Sequence, residues 1–382
     1  MMFCLLGVPV QAADDRSRVV LTSLVGSDSD EPQRFGVIQI GPVEARGGIS
    51  AVIGSILHTG VVQAGFNVIT VNSSMYRDAP AWHEFGVIGR ALFELLKSGL
   101  VPANRVVHLH ASYGVSFYRK ALFMVVSKLL GKRVIFHIHS GRVNEFYCTG
   151  KARKWIVGLV LRHSDVVVVL APTFAEQLAR THGLTDCRVI SNPLTVPISG
   201  NVAGSRGTPT IVLFMGFWIK EKGLRELIEA MRMVAQHHDV CLRVCGKGPM
   251  DGFLGDLADD NDWLSLVGWV EGDERDKELA QADLLVLPSY FEGVPMVLLE
   301  GMANGLPCIA TRVGGVPSLI TDGVDGILVE SGNIAALAEA LALLVSSPEL
   351  RAEMARAAQA RARKHLPEVI ARQWMDLYDA LG

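Results

Sequence analysis

Six cysteines are scattered through the chain, at Cys4, Cys148, Cys187, Cys241, Cys245 and Cys308, with no Cys-x-x-Cys pair among them. That spacing excludes a small-domain disulfide framework and a cysteine-built zinc site, so a reducing, cytoplasmic compartment is expected. Long apolar runs are missing as well. Residues 155–161 and 166–171 are interrupted by Arg162, His163 and Asp165, well short of the ~20 residues that span a bilayer. Residues 1–13 have an apolar centre and a small-residue end but no basic start. A poorly ordered extension or a mis-set start is therefore expected rather than a secretory signal. Charged residues are sparse, 20% against 49% hydrophobic, which argues for globular domains over disorder.

Acidic residues are nearly absent from one stretch. Eleven basic residues between Arg105 and Arg162 are accompanied by Glu145 alone. The bias extends further: residues 1–192 hold 20 Lys and Arg against 13 Asp and Glu, and the remainder 16 against 26. The first half should favour anionic partners. Phe117, Tyr118, Phe123, Trp155 and Ile156 interleave with Arg119, Lys120, Lys128, Lys132, Arg133, Lys151, Arg153 and Lys154. This suits peripheral attachment to an anionic membrane surface, on the inner face of the cytoplasmic membrane, beside the plainer reading as solvated helix faces. No nucleic-acid partner is expected.

A chain of 382 residues exceeds one typical core, and two domains are expected. From Phe35 onward short β-branched runs alternate with helix-length segments, the signature of parallel βαβ units. Strands are expected at 36–40, 67–71, 106–110, 133–139, 166–170 and 188–190, with helices at 50–64, 113–130 and 173–182. Pro193, Pro197, Gly200, Gly204 and Gly207 mark a linker. The alternation restarts with strands at 210–215, 241–245, 264–267, 284–287, 308–310 and 326–329. The predicted fold class is α/β, two Rossmann-like doubly wound parallel-sheet domains facing across a cleft. Its divisions are an extension (1–34), a first domain (35–192), a linker (193–208), a second domain (209–366) and a closing helix (367–382). Ile370, Trp374, Leu377, Tyr378 and Leu381 recur at helical spacing in that last segment, which should pack back on the first domain. Ligands of such folds bind at the carboxyl ends of the strands.

The informative stretch is 288–307, Pro-Ser-Tyr-Phe-Glu-Gly-Val-Pro-Met-Val-Leu-Leu-Glu-Gly-Met-Ala-Asn-Gly-Leu-Pro. Pro295 suits a first helical turn, which would aim the free N–H groups of Gly293, Val294 and Met296 into the cleft as an anion site. Glu292 then precedes the helix and Glu300 lies within it, roughly 7.5 Å past Pro295 along the axis. A diphosphate at the helix mouth would have a carboxylate on each side to accept sugar or ribose hydroxyls.

Here the sequence resembles the retaining GT-B glycosyltransferases of family 4, glycosyl transferases group 1. Their hallmark is Glu, seven residues, Glu in a Glu-Gly-x-Pro context. The resemblance runs in order through Gly47-Gly48, His139, Lys222-Gly223, Gly246-Lys247-Gly248-Pro249, Glu292/Glu300 and Gly314-Gly315-Val316-Pro317, then Asp322-Gly323 and Gly326. It implies that Glu300 binds the donor ribose, Glu292 contacts the donor sugar and Lys222 neutralises the leaving diphosphate. Gly293 and Val294 would add backbone donors. Gly47 and Gly48 would let the first loop approach the phosphates, His139 would sit beside the transferred sugar, and Gly246 with Gly248 would approach the base. The implied donor is a UDP- or GDP-type sugar and the acceptor a glycan, lipid-linked through a polyprenyl diphosphate, in surface or exopolysaccharide synthesis. No cofactor and no metal are expected.

Two departures stand out. The family's Gly-Arg five residues before the lysine is Gly216-Phe217, leaving Lys220 or Arg46 to supply the missing cation. The glutamate usual after Gly-Gly-x-Pro is Ser318. The alternative to an active transferase is therefore a catalytically impaired nucleotide-sugar-binding subunit. A GT-B phosphorylase or epimerase would need a pyridoxal-binding lysine or another carboxylate arrangement, for which no motif is present.

Other candidates have bland readings. His108/His110 and His137/His139 each put two rings on one strand face, but neither pair carries the carboxylate or cysteine that would complete a zinc site. Asp28-Ser-Asp30 has a metal-binding shape in a Ser/Asp/Pro loop. Gly246-Lys-Gly-Pro249 lacks the Gly-Lys-Ser/Thr of a phosphate loop.

Overall fold

A computed structural model describes residues 34–42, 48–58, 65–73, 81–200 and 207–382. Residues 1–13, Asp28-Ser-Asp30, Arg46 and Gly47 lie outside them. Two six-stranded sheets organise the chain. The first contains β1 (Gly36–Gly41), β2 (Asn67–Asn72), β3 (Asn104–Ala111), β4 (Arg133–Ile138), β5 (Val166–Val169) and β6 (Cys187–Val189), in the order β2-β1-β3-β4-β5-β6. The second contains β7 (Thr210–Met215), β8 (Val240–Cys245), β9 (Leu264–Gly268), β10 (Leu284–Leu287), β11 (Cys308–Thr311) and β12 (Gly326–Val329), in the order β12-β11-β10-β7-β8-β9. All pairings between these strands are parallel. Runs such as Leu284–Leu287 are buried along their whole length, which is why they read as continuous apolar segments without alternation.

Each sheet reverses its winding once, between β1 and β3 in the first and between β7 and β10 in the second. Those switch points open crevices at the carboxyl ends of the strands. The first expected helix is Gly48–His58, with 59–64 outside the described residues. A long helix at Ala81–Gly99 is not among the helices whose bounds the sequence pattern marks. Helices Pro172–His182, Pro348–Ala362 and Pro367–Asp379 all carry proline in their first turn, where its missing N–H costs nothing.

The last of these helices lays Ile370, Trp374, Leu377 and Tyr378 on one face of the first sheet, against Val37, Val68, Val106, Ile135 and Val168. Fully burying a large side chain of this kind contributes roughly 1.5–3 kcal/mol. The segment between the sheets is more than a spacer. Leu194 N–H donates to His365 O at 2.7 Å, Ser199 N–H to Ala303 O at 2.9 Å, and Asn192 Nδ2 to Val294 O at 2.8 Å.

Candidate active site

The second switch point gathers two segments: 216–223 after β7, and 288–295 after β10. Lys222 closes the short turn Lys220–Lys222, and Gly223 follows in the left-handed conformation, φ 69°. A β-carbon there would overlap the Pro288 carbonyl, so glycine is required on both counts. The turn delivers Lys222 Nζ to Glu292 Oε1 at 2.6 Å, with side-chain exposures of 21% and 9%. Lys220, one turn-position earlier, is exposed.

Local geometry around Pro295 differs from the sequence expectation. Pro295 is the N-cap and the helix is Met296–Ala303. Gly293 and Val294 therefore lie ahead of the helix rather than in its first turn, because Pro295 has ψ 124° and keeps the chain extended up to Met296. Gly293 packs backbone-to-backbone instead: its carbonyl accepts from Gly315 N–H at 2.9 Å, and a β-carbon on it would stand 3.2 Å from the His139 carbonyl. Glu292 is similarly enclosed, since β-carbons at Gly141 or Gly314 would overlap its carbonyl group. The Glu292-Gly293 backbone thus lies against the loop after β4, where the His139 carbonyl of the first half faces Gly293 of the second.

Glu300 is buried, 7% exposed. Its Oε1 accepts from Thr195 Oγ1 at 2.6 Å and from Arg275 Nη1 at 3.2 Å. Burial raises its pKa despite the hydrogen bond from Thr195 and the Arg275 charge, which pull it down. Thr195 also lines a cavity of about 510 Å³ between helix Gly48–His58, residues 194–197 and residues 366–368. Neither Thr195 nor Arg275 was singled out in the sequence: one sits in a linker-like stretch, the other in a charged helix that reads as a solvated face.

Gly246 and Gly248 face the protein's own backbone. A β-carbon on Gly246 would overlap the Gly216 carbonyl, and one on Gly248 would come 2.6 Å from the Trp218 carbonyl oxygen. Close packing on 216–218 accounts for both glycines without a ligand. Phe217, in place of the arginine, stacks obliquely on Trp269 with ring centroids 5.1 Å apart. A cation of the first half lies against Glu221. Arg142 lies over Phe291 at 4.6 Å and Tyr113 at 5.1 Å, with its Nη2 3.6 Å from Glu221 Oε1. Sequence reading missed it.

Gly48 opens the first helix. The four histidines, read as two separate pairs, form one array because β3 and β4 pair His110 with His137. His108 Nε2 lies 3.2 Å from His137 Nδ1, His110 Nδ1 2.9 Å from His139 Nε2, and His108 Nδ1 2.8 Å from Tyr378 Oη. His108, His110 and His137 offer ring nitrogens within 4.8 Å of one another. Burial, then neighbouring positive charge, lowers all four pKa values, that of His139 to about 3. No helix among the described residues is long and apolar enough to cross a membrane.

Residues 199–361 match the glycosyl transferases group 1 family. Three curated relatives are matched over 34%, 43% and 58% of their own length. One is the lipopolysaccharide core biosynthesis glycosyltransferase LpsE of Rhizobium meliloti, 30% identical over 201 residues, 51% of this chain and 58% of the relative. Among solved structures, sucrose-phosphate synthase from Thermosynechococcus elongatus aligns with TM-score 0.74 at 19% identity over 91% of this chain and 99% of that one. Anabaena HepE, solved in complex with UDP, aligns with TM-score 0.70 at 15% identity over 91% and 100%. At these identities the likeness is one of fold, and the fold is the two-domain GT-B arrangement.

Proposed function

We propose, for a chain whose residues 199–361 belong to the glycosyl transferases group 1, that it is a retaining glycosyltransferase moving a sugar from a nucleoside diphosphate to a glycan acceptor. The observation that carries this reading is the Lys222–Glu292 pair at the switch point of the second sheet, whose Glu292-Gly293 backbone packs on the loop after β4. When the anomeric carbon loses its diphosphate, negative charge grows on the leaving oxygens. A cation fixed there is stronger in the transition state than in the ground state, which is what accelerates the step. Lys222 is placed to take that charge, and Glu292, once Lys222 turns to the diphosphate, to accept from a sugar hydroxyl. Glu300 would hold the ribose. Retention follows if the acceptor oxygen bonds to the anomeric carbon on the face the diphosphate leaves, its proton passing to the leaving phosphate oxygen. No metal or cofactor enters this scheme.

The UDP complex of HepE supports a nucleotide ligand, and the role of LpsE in lipopolysaccharide core biosynthesis supports a surface-glycan acceptor. A lipid-linked acceptor and attachment to an anionic membrane are supported by the first half's surface. Tyr118, Leu122, Val125 and Leu129 form an outward apolar stripe on helix Val115–Leu129, and Trp155 and Leu159 another on helix Lys151–His163. Exposed Lys128, Arg133, Lys151 and Arg162 flank them.

Phe217 favours a second reading, a binding subunit that holds donor without turnover, since a ring packed on Trp269 stands at the sequence position of the family's arginine. Calorimetric titration with UDP, GDP and ADP and their sugars separates the two. One nucleotide is expected to bind at least tenfold better than the others, with Glu300→Ala and Lys222→Ala each losing it. No binding to any of them would sink both readings. Binding without hydrolysis or transfer of any sugar would leave the subunit.

A further inference from the structure

The first sheet has its own switch point, between β1 and β3, and its chemistry is the reverse of the second sheet's. Lys120 is 1% exposed, yet its Nζ has a single hydrogen-bond partner among the described residues, Ser73 Oγ at 2.5 Å. Among the described residues, two of the three N–H donors of its charged form thus have no acceptor. Ser73, itself fully buried, donates its N–H to Gly41 O at 2.9 Å at the end of β1. Gly41 packs on His110, where a β-carbon would come within 3.2 Å of the histidine's own. His110 Nε2 is buried without a partner, while its Nδ1 lies 2.9 Å from His139 Nε2. Lys120 is close enough for its charge to depress both His110 and His139.

Among the described residues no carboxylate bonds to Lys120 or to any of the four histidines. Helices Gly48–His58 and Val115–Leu129, which begin at this edge of the sheet, carry no acid in their first turns. The nitrogens of His108, His110 and His137 have the spacing of a metal site, but among the described residues no carboxylate is there to offset a divalent cation beside the buried Lys120. An anion meets the opposite situation: donors without acceptors among the described residues, and two helix N-termini beside the carboxyl ends of the strands.

We propose that Lys120, Ser73, His110 and His139 form a subsite for a phosphate or diphosphate group of the acceptor, separate from the donor's diphosphate. That assignment to the acceptor rests on the transferase reading above. The group would take hydrogen bonds from Lys120 Nζ and His110 Nε2, and His139 would stand between it and the Glu292 side of the cleft.

The test uses the full chain, titrated with inorganic pyrophosphate and with farnesyl diphosphate in saturating UDP. Both are expected to bind the wild type, and Lys120→Met to weaken both at least tenfold while leaving UDP affinity within twofold. Absence of binding in the wild type, equal binding to Lys120→Met, or parallel loss of UDP binding would overturn the proposal. If Lys120→Met does not fold, His110→Gln replaces it: at least fivefold weaker pyrophosphate binding supports the subsite, and unchanged binding removes it. A wild type that binds no nucleotide refutes the donor reading instead, and the pyrophosphate titration without UDP still reads the Lys120 dependence.

Discussion

Acidification should destabilise this protein more steeply than its carboxylates require. His108, His110 and His137 are held well below the ordinary imidazole value, and His139 at about 3, by burial and then by one another and Lys120. In the unfolded chain each titrates near 6.5. A depressed folded-state value for a base means that folding favours the neutral form. The stabilisation is therefore fully present above 6.5 and is lost as pH falls below it, because the unfolded chain binds protons that the folded one refuses. Between pH 6.5 and 5.5 a histidine that stays neutral when folded removes about 1 kcal/mol, and four remove about 4 kcal/mol. Against a total stability of ~5–15 kcal/mol that is a large share. Urea unfolding at pH 7.5, 6.5 and 5.5 measures it directly, with His110→Gln as control; the variant should lose about 1 kcal/mol less over the same interval. A wild-type loss under about 1 kcal/mol from pH 6.5 to 5.5, or an unaltered slope in His110→Gln, refutes the neutral four-imidazole array.

Lys222→Met removes one partner of the 2.6 Å pair with Glu292; a fall in kcat of roughly 10²–10³ is expected, with an activity within threefold of wild type counting against Lys222 as the leaving-group cation. Gly141→Ala places a β-carbon in the Glu292 carbonyl. Since backbone cannot yield there, the halves must shift, and kcat should drop about 100-fold while UDP affinity measured by calorimetry is kept; unchanged turnover would show that His139 and Glu292 need not be held this closely. Leu129→Ser with Trp155→Ser should cut co-sedimentation with anionic vesicles at least fivefold, and equal sedimentation with neutral vesicles would argue against the charged apolar face.

Much of the fold was legible because its strands are short, apolar and bounded by turn residues. Strands 210–215, 284–287 and 326–329 have the same limits in sequence and structure. Helix Ala81–Gly99 escaped because Gly86 and Gly89 weaken the pattern and outward-facing Phe85, Phe93 and Leu96 blur its period. At the site, Glu292, Glu300 and Lys222 were visible as a spaced motif. Thr195 was not, since its bond to Glu300 crosses 105 positions from a Pro/Gly-rich stretch that encodes no partner. Likewise two His-x-His pairs are apparent in the chain, but only the β3–β4 register turns them into one array.

The two switch points explain why a chain with a basic first half and an acidic second half can serve one cleft. In the second sheet the cation is held by a carboxylate: Lys222 is paired with Glu292, so each group gains a new partner by releasing the other. In the first sheet Lys120 bonds a hydroxyl and, among the described residues, no carboxylate, and burial holds its pKa well below the ordinary lysine value. Net charge of either half therefore says little about what its crevice binds. What matters is whether the buried cation already has its counter-charge, because a paired ion exchanges partners at small net cost while an unpaired one carries its desolvation penalty until an anion arrives. On the proposed transferase reading, the acidic half would release a diphosphate and the basic half retain one.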